Sequence, residues 1–161
     1  VAWQLALENT TTPTGLILTR QNISTIMDYE QAKGAKKGAY VLKSEENPDV
    51  VLLANGSEVS ALMEVSVLLK EKGIKASVVS APSEGLFFSQ SNEYRQSVIP
   101  NGIPVFGLTA GLSTTLSELV GPNGVVYGLD HFGYSAPFKV LDEKFGFTPE
   151  NIFNQVVEFL K

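Results

Sequence analysis

From residue 38 onward, short runs of consecutive apolar residues alternate with longer segments whose apolar positions recur every three or four residues. Ala39-Tyr40-Val41-Leu42 is the first short run, and Val50-Val51-Leu52-Leu53-Ala54 the second. A continuous apolar run of that length suits a strand buried on both faces. After the tight turn Asn55-Gly56-Ser57, residues 58–72 place Val59, Leu62, Met63, Val65 and Leu69 at helical spacing. Gly73 stops that helix, with Lys70 and Lys72 in its last turn. Ala76-Ser77-Val78-Val79-Ser80, Ile103-Pro104-Val105-Phe106-Gly107-Leu108 and Val125-Val126-Tyr127-Gly128 are three further strands. A short helix over residues 112–120 ends at Gly121-Pro122. Two helices close the chain. Ser135 is the expected cap of one, with Pro137 in its first turn. Thr148 caps the other, with Pro149 at its first position and Ile152, Phe153, Val156, Val157 and Leu160 on one stripe.

Strand, helix and strand with such short connections imply right-handed parallel βαβ units. The fold class is α/β: a three-layer, doubly wound sheet of about five strands with helices on both faces. The strand at residues 39–42 is followed by only a short polar stretch before Val50. That connection is too short for parallel pairing, so this strand is expected to be antiparallel at an edge.

The chain before residue 38 is different. Val1-Ala2-Trp3-Gln4-Leu5-Ala6-Leu7 reads as a helix already under way, with neither an initiating methionine nor a cap. This suggests a piece of a longer chain. After the turn Thr12-Pro13-Thr14-Gly15, the run Leu16-Ile17-Leu18-Thr19 is expected to be a buried strand. Residues 22–37 are polar, without a sustained period, and read as a linker. The expected division is residues 1–21 as the end of one domain, 22–37 as linker and 38–161 as a second domain.

Composition narrows the function. Hydrophobic residues make up 43% and charged residues 18%, enough apolar surface for a packed core. The net charge of -5 argues against a nucleic-acid face, and Lys33, Lys36 and Lys37 read as a solvated loop. There is no cysteine, which removes disulfides, thiolate metal sites and cysteine nucleophiles and suits a cytoplasmic protein. No apolar run reaches the roughly 20 residues of a membrane-spanning helix.

Candidate chemistry is sparse. Asn55-Gly56-Ser57-Glu58 opens a helix after a buried strand, where free amides could hold an anion. It lacks the Gly-rich spacing of nucleotide loops. A free-standing nucleotide- or anion-binding module is therefore the alternative to an enzyme, and a structural turn is the simpler reading of the motif. His131, the sole histidine, follows Asp130 and could pair with it, but no nucleophile motif accompanies them. Glu45, Glu46 and Asp49 read as a solvated loop. Arg20, directly after Leu16-Ile17-Leu18-Thr19, could grip a phosphate with its planar fork or form a surface ion pair.

Several segments, in order and spacing, resemble transketolase: Leu16-Ile17-Leu18-Thr19-Arg20-Gln21-Asn22, Gly38-Ala39-Tyr40-Val41-Leu42 and Ala54-Asn55-Gly56-Ser57-Glu58-Val59. So do Val78-Val79-Ser80-Ala81-Pro82-Ser83, Tyr94-Arg95-Gln96-Ser97-Val98, Gly128-Leu129-Asp130-His131-Phe132-Gly133-Tyr134-Ser135-Ala136-Pro137 and Phe145-Gly146-Phe147-Thr148-Pro149-Glu150-Asn151-Ile152. Departures fall at Asn55, Thr109 and His131, where the family more often has threonine, glutamate, and arginine or threonine. The resemblance implies a homodimeric enzyme that moves a two-carbon ketol unit between ketose and aldose phosphates, in the pentose phosphate pathway. It implies thiamine diphosphate and a divalent metal, magnesium or calcium, in the full-length enzyme. Residues 1–21 would be the end of the pyrimidine-binding domain and 38–161 the C-terminal domain, serving assembly or regulation. Arg20 matches the family arginine that binds the substrate phosphate. No catalytic, cofactor-binding or metal-binding residue of the family falls in this chain, so alone it is expected to be inactive. Dihydroxyacetone synthase is a close relative with the same domain.

Overall fold

The computed structural model describes residues 1–161. Helix α1 (Ala2–Glu8) buries none of its residues. Leu16-Ile17-Leu18-Thr19, expected as a buried strand, forms none, and Ile17 and Leu18 are 100% and 75% exposed. An extended apolar run becomes a strand only when a neighbour completes its ladder, and the one sheet of this chain lies elsewhere in sequence.

The stretch at residues 22–37 carries more structure than its polarity suggests. Asp28 caps helix α2 (Tyr29–Ala32): its Oδ1 accepts from the Gln31 N–H at 2.8 Å, and Gln31 Oε1 accepts from the Asp28 N–H at 3.4 Å. This reciprocal box satisfies two donors that a helix start leaves open. A 3-10 turn, Lys33–Lys37, follows and ends at Gly38.

Strand β1 (Tyr40–Lys43) opens the sheet, followed by β2 (Val50–Ala54), helix α3 (Glu58–Glu71) and β3 (Ala76–Ser80). Two helices that the apolar pattern did not disclose, α4 (Glu84–Phe88) and α5 (Asn92–Val98), then lead to β4 (Val105–Leu108). A 3-10 turn (Ser113–Leu116) runs into α6 (Ser117–Val120), and β5 (Val125–Tyr127) completes the sheet. Helices α7 (Phe138–Phe145) and α8 (Pro149–Phe159) end the chain. The strand order is β1-β3-β2-β4-β5. Pairings β2–β3, β2–β4 and β4–β5 are parallel, and β1 lies antiparallel on β3 at the edge. The edge strand is as its short connection required.

Side-chain alternation along the strands divides the core in two. Val50, Leu52 and Ala54 point to one face, where they meet Val59, Leu62, Val65 and Leu69 of α3 and Ile152 and Val156 of α8. Val51 and Leu53 point to the other, against Phe87 of α4, Val98 of α5 and Leu119 and Val120 of α6. Each fully buried aliphatic side chain contributes about 1.5–3 kcal/mol of transfer free energy. Thr148 caps α8 as expected, accepting from the Asn151 N–H at 3.4 Å. Ser135 does not cap α7. That helix starts at Phe138 with Pro137 in the cap position, so Ser135 lies two residues too early to reach its open amides.

Gly38 shows how tightly the entry to β1 is packed. Its φ is +87°, and a Cβ there would collide with the Phe87 backbone nitrogen and the Ser83 carbonyl oxygen. The Gly38 carbonyl in turn accepts from the Ser83 N–H at 2.9 Å. Gly38→Ala is expected to destabilise the fold by about 2 kcal/mol or more, from backbone strain and overpacking together. The check is a urea titration: a lower midpoint with an unchanged slope. An unchanged midpoint would show that this packing is dispensable.

Candidate functional site

Open α/β sheets bind ligands at the carboxyl ends of their strands, where the winding reverses. Here the reversal lies between β2 and β4, because β2 leads through α3 to β3 on one side while β4 leads to β5 on the other. The carboxyl end of β2 is Asn55-Gly56-Ser57, with Gly56 at φ +62°. No free anion site results. Glu58, the first residue of α3, accepts a hydrogen bond from Ser57 Oγ at 2.7 Å, and backbone amides at Glu58 and Ala110 also favour its carboxylate. The charge that those amides could have offered a ligand is met by the protein's own side chain. The motif is thus occupied as a structural turn, its simpler reading, and the alternative of an anion site there gains no support.

Burial nevertheless dominates at Glu58 and raises its pKa above the usual 4.5, with the Asp142 carboxylate adding repulsion. Burial raises Asp142 too. The ionised form of Glu58 is thus disfavoured by folding. Its cost is absent below the ordinary carboxylate pKa and grows as pH rises through the window between the unfolded and folded values. Glu58→Gln is therefore expected to be more stable than the parent at pH 7, with the difference disappearing below pH 4.5. Urea midpoints across that range measure it. A destabilised variant at neutral pH would show that the hydrogen bonds outweigh the burial.

The loop after β5 holds the histidine. Asp130 and His131 are not hydrogen-bonded to each other. Asp130 accepts from the Ser113 N–H at 3.0 Å and from Ser113 Oγ at 2.9 Å, which hold its pKa below the usual range. His131 Nδ1 pairs with the Phe132 carbonyl oxygen at 2.9 Å, and its ring lies 5.1 Å from that of Phe145. Both side chains therefore fix the β5 exit loop rather than form a proton-transfer pair. Glu45 is 3.8 Å from Lys43, and Asp49 accepts from the Lys75 N–H at 2.8 Å. These too are structural contacts. Nowhere do three His, Cys, Asp or Glu side chains gather as a metal would require. The residues present do not fit a divalent ion.

Arg20 is exposed and forms no ion pair; those of the chain join Lys33 to Glu30, Lys43 to Glu45 and Lys161 to Glu158. It lines an open depression of about 490 Å³ with Thr19, Gln21, Tyr134, Ser135 and Phe138, and without any carboxylate. Tyr134 forms one wall by stacking on Phe145 at 5.6 Å. Lys144 Nζ sits 4.6 Å from the Tyr134 ring centroid, bringing a second cation to the same region. The structure thus joins Arg20 to the β5 exit loop, a juxtaposition across more than a hundred residues of sequence (20 to 134) that spacing alone did not reveal. Half of its lining is apolar (Tyr134, Ala136, Phe138 and Leu141), and the Arg20 guanidinium is its one charged group.

No helix is long and apolar enough to cross a membrane. Residues 38–148 match the family described as the transketolase-like TK C-terminal domain. The transketolase of Aquifex aeolicus (strain VF5) is 43% identical over a 161-position alignment that covers 98% of this chain and 23% of that protein. Among solved structures, transketolase from Leishmania mexicana superposes with a TM-score of 0.90 at 35% identity, over 99% of this chain and 23% of that one. A Pichia stipitis transketolase solved in complex with sedoheptulose 7-phosphate gives 0.85 at 34%, over 99% and 23%. The chain spans about a quarter of the length of these relatives.

Proposed function

Since the chain belongs to the transketolase family and carries its C-terminal domain, we propose that it works as the C-terminal part of a transketolase and lends Arg20 to that enzyme's substrate phosphate site. The whole enzyme transfers a two-carbon ketol unit between ketose and aldose phosphates, as a cytoplasmic homodimer of the pentose phosphate pathway. Thiamine diphosphate and magnesium or calcium are held by its other domains. Residues 1–21 are the end of the pyrimidine-binding domain, 22–37 the connection and 38–161 the C-terminal domain, which serves assembly or regulation.

The observation that carries this reading is Arg20, unpaired beside an acid-free depression, in a chain whose relative was solved with a sugar phosphate. The exposed Trp3, Leu7, Ile17 and Leu18 agree with it, because such side chains are covered when a preceding domain is present. The planar fork of a guanidinium matches two oxygens of a phosphate monoester. In the proposed division of labour it binds and orients the substrate's distal end while the chemistry occurs elsewhere.

Calorimetry with a ketose phosphate tests the assignment. The full-length enzyme is expected to bind it, and the 161-residue chain only weakly, because one exposed arginine lacks preorganised partners. Equal affinity for the two proteins would place the whole phosphate site within this chain and overturn the proposed division.

A further inference from the structure

A second cavity lies at the opposite edge of the sheet. It is built where β4 begins, at Pro104 and Val105, and where the chain turns toward β5, at Gly121-Pro122-Asn123. The linker enters at the other edge, since Tyr40 pairs with Ser80 at the carboxyl end of β3. The cavity measures about 470 Å³, within the range of small-molecule sites. Phe87, Phe88, Ile99 and Ile103 supply apolar walls.

Arg95 of α5 lines this cavity. It is half-buried, has no carboxylate partner, and its Nε is fully enclosed without a hydrogen-bond acceptor. A buried guanidinium N–H left without an acceptor is costly, and native structures rarely retain one without a reason. The lining contains no Asp or Glu. Gln96 and Asn101 satisfy one another across the rim: Gln96 Nε2 donates to Asn101 Oδ1 at 2.9 Å, and the Asn101 N–H donates to Gln96 Oε1 at 3.1 Å. Asn92 and Asn123 remain as carboxamides able to donate to a ligand. Pro100, Pro104 and Pro122 stiffen the rim, so little ordering is needed on binding.

We infer that this cavity binds a small organic oxyanion, a carboxylate or phosphate monoester with an apolar body, whose charged head accepts from Arg95 while the body lies against Phe87, Phe88 and Ile103. The site is independent of Arg20 and of the phosphate role proposed for it. An acid-free cavity with one unpaired cation selects for charge, and the aromatic walls select against a bare, strongly hydrated ion.

The test uses the 161-residue chain with phenyl phosphate, benzoate and inorganic phosphate as probes, followed by two-dimensional NMR of the arginine Nε–H and backbone amides. Phenyl phosphate or benzoate is expected to shift the Arg95 Nε–H resonance and the amides around Asn101 and Asn123, saturably, and more tightly than inorganic phosphate. The better of the two identifies the head group. Arg95→Gln is expected to weaken binding about ten- to hundredfold. Arg95→Lys should restore part of it, because charge returns without the fork. Should Arg95→Gln fail to fold, exposed Asn123→Ala on the rim provides the second variant, with a loss of a few-fold expected from one neutral hydrogen bond. No saturable shift with any probe, or shifts that survive unchanged in the variants, would overturn the assignment.

Discussion

Ketose phosphate turnover by the isolated chain is expected to be undetectable, even with thiamine diphosphate and magnesium in excess. The titratable groups at its carboxyl edge are engaged in structure. Glu58 is held by Ser57 Oγ and backbone amides, Asp130 by Ser113, and His131 by the Phe132 carbonyl. No acidic or histidine set can hold a metal ion. In the role proposed for it, Arg20 only grips the phosphate end of the substrate and, as a donor without an acceptor, cannot serve as a general base. Enzymes accelerate their reactions by roughly a millionfold or more, so loss of the chemical machinery should leave nothing above background. The measurement is a coupled assay of the purified chain beside the full-length enzyme. Cofactor-dependent turnover by the chain alone would place catalytic residues within it.

The sheet was legible because buried parallel strands are short, mostly apolar and bounded by turns. Val50–Ala54 and Ala76–Ser80 stand where the sequence predicts them. The antiparallel edge followed from one short connection. Helices α4 and α5 were hidden for a physical reason: each is short and only one residue of each, Phe87 and Val98, is buried, so neither has a periodic stripe to read. For α5 the best signal was a local cap, Ser91 accepting from the Tyr94 N–H, and the same holds for the Asp28-to-Gln31 box of α2, whereas α4 has no side-chain cap. Leu16-Ile17-Leu18-Thr19 erred in the other direction, since an apolar run records an intention to be buried and not the presence of a partner. At the candidate site, Arg20 was named from sequence, but its neighbours Tyr134 and Ser135 were not. Contacts that span the whole fold leave no trace in spacing. Arg20 stood out as a guanidinium directly after an apolar run and the family resemblance implied its phosphate role; the structure shows which loop faces it.

Arg20→Ala in the full-length enzyme should impair phosphorylated sugars far more than unphosphorylated ones. Hydrogen bonds from a charged donor to an ionised phosphate are worth about 1.5–3 kcal/mol, which corresponds to about ten- to hundredfold in binding. A phosphate held equally in the ground and transition states contributes uniform binding, so the loss should fall on KM and leave kcat nearly unchanged. Arg20→Lys should recover only part of the loss, keeping the charge but not the two parallel hydrogen bonds. The depression contains no carboxylate that would be left unpaired by either change, so the fold should be unaffected. The decisive quantity is the ratio of kcat/KM for a phosphorylated acceptor to that for its unphosphorylated counterpart, measured in the parent enzyme and in Arg20→Ala. A phosphate grip by Arg20 requires that ratio to fall about ten- to hundredfold; an equal loss for both acceptors, leaving the ratio unchanged, would contradict that role.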